Sequence, residues 1–247
     1  MPRYKLTIEY DGTPFAGWQR QDGQLTVQGV VEAALEQFVG PVEVFASGRT
    51  DTGVHARGQV VHVDFPVERK PFNICEGLNV LMLPHPVSVL AAEEVAPTFH
   101  ARFDAKQRHY LYRIINRSSR LGLDATRAWH QFRPLDLDAM REGAQYLIGK
   151  HDFTSFRSST CQSKDPVKTM DDITITTRSN NPEQIMIRVS SRSFLHHQVR
   201  NMVGTLAMVG SGKWKPEQVK QALEARDRRA GGVTAPAHGL YFMRVDY

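Results

Sequence analysis

Residues 3–12 read RYKLTIEYDG. Tyr4, Leu6, Ile8 and Tyr10 alternate with Lys5, Thr7 and Glu9, the period-two pattern of a strand with one buried face. Asp11-Gly12 then turns the chain. Downstream, Thr26 is placed to cap a helix in which Val27, Val30, Val31, Ala34, Leu35 and Phe38 follow helical spacing. Gly40-Pro41 ends it. A strand, a helix and a further strand around Val42–Ala46 set the style of the whole chain. A polar, glycine-bearing loop comes next, then a strand from Gln59 to Phe65, a short helix from Asn73 to Leu81 stopped at Pro84, and a strand from Val87 to Ala92.

The second half repeats the style without repeating the sequence. His109–Asn116 reads as a strand, and Asp136 caps a helix running to Ile148. Strands follow near Ile173–Thr177 and Ile185–Ser190, then helices about 195–209 and 217–226, and a closing strand from Leu240 to Val245. Interleaved helices and hairpin-linked strands predict an α+β fold: two α/β domains, each an antiparallel or mixed sheet flanked by helices. The boundary is expected near residue 105, giving domains 1–105 and 106–247.

The 247 residues suffice for two such cores. No apolar run approaches the roughly 18 residues that span a membrane, and the chain starts directly in the alternating segment, without an apolar signal core. Both features lead to the expectation of a cytoplasmic protein. Two cysteines, Cys75 and Cys161, cannot build a disulfide framework or a cysteine-rich zinc site. Net charge is +5, and it is unevenly spread. Residues 1–105 carry 8 bases and 13 acids; residues 106–247 carry 23 and 13. Lys106, Arg108, Arg113, Arg117, Arg120, Arg127 and Arg133 fall within 28 residues that hold one acid, Asp124. Such a segment suits a polyanion such as nucleic acid, or equally a solvated basic face.

The most unusual stretch is GRTDTGVHA, residues 48–56. Two glycines bracket an acid flanked by hydroxyls, in a loop between strands. The glycines allow a tight path, and Arg49 can neutralise and orient Asp51, keeping it ionised at neutral pH. That suits a presented carboxylate; it also suits a turn whose aspartate bonds its own backbone and pairs with Arg49 at the surface. His55 reads as a loop-ordering group. Gly17-Trp18-Gln19-Arg20 reads either as an RNA stacking platform or as a loop packed by its tryptophan. His196 and His197, adjacent on an expected helix, point about 100° apart and make a poor metal pair; no metal site is expected.

GRTDTGVHA resembles the signature of the TruA family of pseudouridine synthases, in which this loop holds the catalytic aspartate. YDGTPFAGWQRQ (10–21), TVQG (26–29), FHARFDAKQRHYLYRI (99–114), HDFTSFR (151–157), FLHHQVRNMVG (194–204) and APAHGLYF (235–242) resemble further motifs of that family, in its order. The resemblance covers essentially the whole chain. It implies an isomerase converting uridine to pseudouridine in the anticodon stem-loop of tRNA, at positions 38, 39 and 40, without a cofactor. It also implies a homodimer whose two domains form a basic cleft. By position, it implies that Asp51 is the nucleophile or general base and Arg49 its salt-bridge partner, with a part in extruding the base. Tyr110 stacks on the target uracil, Arg200 contacts Asp51 or a substrate phosphate, and Leu240 forms an apolar wall of the uracil pocket.

The chemistry agrees with such a site. The reaction detaches uracil from C1′, turns it and rejoins it through C5, with no redox change and no atoms added. A carboxylate can attack C1′, add to C6, or stabilise a cationic sugar. The base must leave its stack to be reached, and an aromatic such as Tyr110 can stack on it, worth on the order of 1–3 kcal/mol. From the strand pattern alone, Tyr110 could equally be a core residue beside Tyr112. Arg108, Arg113, Arg117 and Arg120 are candidates for phosphate contacts, some of them simply surface charges. A non-catalytic RNA-binding module would be expected to lack Asp51, Arg49 or Tyr110, and all three are present. A hydrolase would need a second placed carboxylate or a metal motif.

Overall fold

In the computed structural model, which describes residues 1–247, the alternating N-terminal segment forms β1 (Arg3–Tyr10). Tyr4, Leu6, Ile8 and Tyr10 are all buried, each such side chain contributing about 1.5–3 kcal/mol of hydrophobic stabilisation. Then come α1 (Val27–Val39), β2 (Phe45–Ala46), β3 (His55–Asp64), α2 (Pro71–Leu81) and β4 (Val87–Val95). Thr26 caps α1, accepting the Gly29 amide at 3.3 Å. The apolar positions read from the sequence, Val27 through Leu35, are its buried face. β3 and β4 both pair antiparallel to β1, and β2 pairs with β3. α1 and α2 pack on one another, and α2 lies against β4.

The rest of the chain runs β5 (Gln107–Asn116), β6 (Trp129–Gln131), α3 (Leu137–Gln145), β7 (Gly149–Asp152), β8 (Val167–Arg178), β9 (Asn181–Ser191), α4 (Gln198–Gly210), α5 (Glu217–Ala225) and β10 (Leu240–Asp246). β5, β9, β8 and β7 are antiparallel neighbours in that order, and β6 pairs parallel to β5. α3 packs against β8, α4 and α5. Contacts divide the chain into two compact units, Met1–Lys106 with Tyr241–Tyr247, and Gln107–Leu240. Each unit is mixed α+β, with helices on a mixed sheet.

The closing strand departs from the sequence expectation, which placed it with residues 106–247. Tyr241 and Phe242 pair parallel with His55 and Ala56 of β3, so the last seven residues belong with the first unit. The contacts there are specific. Gly58 faces the Met243 carbonyl, which a Cβ would approach to 2.5 Å. The Lys106 amide donates to the Asp246 carbonyl at 2.8 Å, and the Tyr247 hydroxyl to the Ala101 carbonyl at 2.8 Å.

Other boundaries moved for local reasons. β3 begins at His55 rather than Gln59, since Ala56 already pairs with Tyr10; its polar residues His55, Arg57 and Gln59 hide the strand from an apolar count. β2 is only two residues long. α3 starts where its cap indicated, Asp136 Oδ1 accepting the Asp138 and Ala139 amides at 3.0 Å. It stops at Gln145 rather than Ile148, and Gly149, at φ 101°, opens β7 instead.

The FHARFD stretch (99–104) is tied to β1 and β3. Arg3 holds Asp64 through two 2.7 Å hydrogen bonds and donates to the Phe99 carbonyl at 2.7 Å. Buried His62 stacks on Phe45 at 4.8 Å, and its Nδ1 accepts the Ala101 amide at 3.1 Å. Burial, followed by the charges of Arg3 and His100, lowers the His62 midpoint from 6.5 to about 4. The unfolded chain therefore takes up this proton near pH 6.5 while the folded chain does not until about pH 4, so stability falls as pH drops through that window. We predict an NMR titration midpoint near 4 for His62 and a urea midpoint lower at pH 5 than at pH 7; a midpoint above 6 would show that the ring is not held in this environment.

Candidate active site

Asp51 sits in the loop between β2 and β3, and the YDGTPFAGW segment (10–18) is what shapes that loop. The Trp18 amide donates to the Thr50 carbonyl at 3.0 Å, and the Gly53 amide to the Phe15 carbonyl at 3.4 Å. Gly17 has φ 102°, and a Cβ there would stand 2.7 Å from the Thr50 oxygen and 3.1 Å from the Asp51 carbonyl carbon. A Cβ on Gly12 would fall on the Val54 carbonyl. Only glycine permits either approach. The loop closes on itself through the Val54 amide and the Asp51 carbonyl at 3.1 Å.

Beneath the loop lie buried polar side chains. The Tyr10 hydroxyl and Thr50 Oγ1 are 2.7 Å apart. Ser47 Oγ donates to Gln59 Oε1 at 2.7 Å, and Gln59 Nε2 to the Gly48 carbonyl at 2.8 Å. Burial pushes the Tyr10 phenol far above its ordinary value, against smaller opposing effects of hydrogen bonds with Thr50 and Gln59. Tyr10 is thus a neutral hydroxyl at any working pH. His55, also buried, has Nδ1 3.0 Å from the Gly12 amide and 3.2 Å from Asp11 Oδ1. One ring nitrogen cannot serve both, and the Gly12 N–H aimed at it makes it an acceptor. His55 therefore orders the loop, as its sequence context indicated.

Thr50 faces inward and is buried, whereas Asp51 is half-buried and Arg49 exposed. Trp18 decides between its two readings in favour of a loop packed by its tryptophan. It is 2% exposed and 6.1 Å from the Tyr10 ring, so it packs under the loop and offers no face to a nucleobase.

The second unit carries the other candidates. Tyr110 is half-buried on β5, opposite Val189 of β9, with its ring edge-on to Phe194 at 5.0 Å. Two residues on, Tyr112 is fully buried and donates to the Pro236 carbonyl at 2.7 Å; burial drives its phenol far upward, opposed by the charge of Arg200. Arg200 lies in the first turn of α4 and is locked to the 235–240 segment: its Nε donates to the Ala235 carbonyl at 2.9 Å, and the Ala235 amide donates back to the Arg200 carbonyl at 3.1 Å. Gly239 passes so close to the Tyr112 ring that a Cβ would lie 2.6 Å from it. That places buried Leu240 at the start of β10. Within this unit, then, Tyr112 gathers Arg200 and the segment leading to Leu240, with Tyr110 beside it on the same strand.

Several supporting residues were not singled out from the sequence. Asn201, 1% exposed, receives Thr234 Oγ1 at 2.7 Å and Arg228 Nη2 at 3.2 Å, and its Nδ2 donates to the Phe156 carbonyl at 2.8 Å. A Cβ on Gly204 would collide with the Val233 carbonyl. The NMVG of α4 is therefore the seat for residues 231–235. His196 and His197 precede α4 rather than riding on it; His197 is its N-cap residue at φ 63°. Of the arginines proposed for phosphates, Arg108 is buried and bonds the Arg192 carbonyl, and Arg113 pairs with Asp124 at 3.1 Å. Arg117 lies 3.6 Å from Glu183, and Arg120 is exposed, as are Arg127 and Arg133 of the same basic stretch.

The first unit presents a half-buried carboxylate over a buried polar framework, and the second is rich in bases and carries a half-buried tyrosine, features suited to an enzyme that acts on nucleic acid. The sequence profile of the tRNA pseudouridine synthase family matches residues 6–104 and 144–247, and the chain belongs to that family of isomerases. It is 55% identical over 248 aligned positions to the tRNA pseudouridine synthase A of Paramagnetospirillum magneticum, covering 100% of this chain and 96% of that protein. It is 52% identical over 248 positions to that of Parvibaculum lavamentivorans, covering 100% of both. Among solved structures, a chain from a Cbf5–Nop10–Gar1 complex aligns at TM-score 0.39 and 10% identity, over 97% of this chain and 48% of that one, too weak a likeness to inform the fold.

Gly17→Ala is expected to lower stability by about 1–3 kcal/mol, from a strained φ and the contact with Thr50. Activity should fall by more than that stability loss explains, because the side chain would push on the loop that holds Asp51. Urea unfolding and turnover of the same sample measure both.

Proposed function

We propose that this tRNA pseudouridine synthase isomerises uridines at positions 38, 39 and 40 in the anticodon stem-loop, with Asp51 as the catalytic nucleophile. The observation that supports this reading best is the GRTD loop itself: a single acid, half-exposed, on a backbone fixed from below. Preorganised placement of that kind is what a carboxylate needs to meet C1′ or C6 of an extruded nucleotide. The N1–C1′ bond breaks, uracil turns, and C5 bonds to C1′. The C5 hydrogen leaves as a proton and N1 gains one. Atoms and electrons balance within the substrate, so the proposal invokes neither cofactor nor metal.

The remaining roles follow the family's pattern. Tyr110 stacks on the flipped uracil, for which a half-buried ring is suited. Leu240 supplies an apolar wall. Arg200 meets Asp51 or a substrate phosphate. Arg49, standing in solvent, reaches the RNA and helps extrude the base. The two units act as domains, and the exposed Arg120 and Arg133 meet phosphates of the RNA. The enzyme works as a cytoplasmic homodimer. No helix is long and apolar enough to cross a membrane.

Tritium release from tRNA labelled at C5 of uridine tests the reaction directly, because forming the bond at C5 must expel that hydrogen. Release mapped to the anticodon arm is expected from purified protein without added cofactor. Asp51→Asn should abolish release while tRNA affinity stays within about twofold, since phosphate contacts supply most of it. Turnover by that variant at the parent rate would refute the assigned role.

A further inference from the structure

Under the Asp51 loop lies a set of polar side chains that the proposed reaction does not use. Tyr10 ends β1 and is 4% exposed; Thr50 is 8%, Ser47 1% and Gln59 0%. Burying so many hydroxyl and amide groups costs free energy unless each is satisfied, and each is. Gln59 Oε1 takes the Ser47 hydroxyl at 2.7 Å and its own strand's Val60 amide at 3.2 Å. Its Nε2 reaches forward to the Gly48 carbonyl at 2.8 Å. Tyr10 and Thr50 are joined hydroxyl to hydroxyl at 2.7 Å. The residues held are those leading into Asp51, at positions 47, 48 and 50.

An apolar filling could cover the same area more cheaply. What it could not do is fix direction, because apolar contacts are not oriented and hydrogen bonds are. The Thr50 carbonyl is independently fixed by the Trp18 amide at 3.0 Å, so this residue is gripped by backbone and side chain at once. The backbone that leads into residue 51 is thereby held, which sets the point from which its carboxylate is presented.

We infer that Tyr10, Thr50 and Gln59 form a positioning network that aims the Asp51 carboxylate, so that they set the rate of the chemical step without touching the substrate. The inference rests on the proposed role of Asp51. The network acts as one unit: the Tyr10 hydroxyl has its effect through Thr50, and removing either partner releases the same constraint.

Two near-isosteric substitutions remove the bond without opening a cavity, Tyr10→Phe and Thr50→Val. Single-turnover rates on anticodon-arm tRNA should fall by roughly tenfold to hundredfold for each, the scale expected when a reacting group is misplaced by an ångström or less. The dissociation constant for tRNA should stay within about twofold, because phosphate contacts lie elsewhere. The double variant should be no slower than the slower single variant, the non-additivity expected of residues acting through one bond. Thr50→Ser, which keeps the hydroxyl, should recover most of the rate. Parent-like rates in both single variants, losses that multiply in the double variant, or weakened tRNA binding in step with the rate would each overturn the inference. Asp51→Asn, assayed alongside, separates this from the underlying reading. If it is inactive while Tyr10→Phe and Thr50→Val are normal, only the network fails; if it is active, the role of Asp51 fails first.

Discussion

The hydrogen bond from the Trp18 amide to the Thr50 carbonyl is the constraint around which the first unit is organised. For that bond to form, the 10–18 segment must cross directly over the loop, which requires Gly17 at positive φ and a bare Cα at Gly12. The crossing buries Trp18 and Phe15 and brings Tyr10 onto Thr50. It also leaves α1 starting where the chain emerges, with the Val27 and Gln28 amides bonded to the Gly17 and Trp18 carbonyls. One backbone contact thus couples the first strand, the first helix and the acid-bearing loop. The side chains around it are apolar where they need volume and polar where they need direction.

The second unit solves a similar problem differently. Its candidate residues do not share a loop. Tyr110 is on a strand, Arg200 in the first turn of a helix, and Leu240 at the entry to β10. They are tied through residues 231–240, which α4 seats by means of Gly204, Asn201 and Arg200, and which β5 meets with Tyr112. The reciprocal bonds between Arg200 and Ala235 fix the course of the arginine's stem while leaving its terminal nitrogens the other contacts a guanidinium can make. Function in such a unit is distributed over backbone carbonyls as much as over side chains, which is why the residues flanking a nominal site residue matter.

Much of this was legible in the chain. β1 and α1 were plain because their apolar residues keep strict periods, and Thr26 and Asp136 mark their helices by the chemistry of capping. GRTDTGVHA stood out by composition. Less legible were elements whose residues are polar for reasons of packing. β3 begins four residues before its apolar run, and two-residue β2 depends on its neighbour. For Trp18 the sequence left two readings open, a stacking platform or a loop packed by its tryptophan; it is core, because the segment that carries it folds back over the Asp51 loop. Tyr112 was readable only as a neighbour of Tyr110, though it is the residue that gathers Arg200 and the 235–240 segment.

By itself, the sequence determined that the protein is α+β, that one glycine-bracketed acid is unlike the other acids in the chain, and that bases concentrate after residue 105. These are local properties: period, cap, turn and charge count involve residues close together along the chain. Tertiary structure decided what depends on distant pairs. It made Tyr10 and Gln59 partners of the residues leading to Asp51, sent Thr50 inward and left Arg49 in solvent, and took Arg108 and Arg113 into bonds within the fold. It also returned the last seven residues to the first unit. The physical reason is that a hydrogen bond or a buried surface is defined by two positions in space. The sequence lists each position separately and does not say which ones meet.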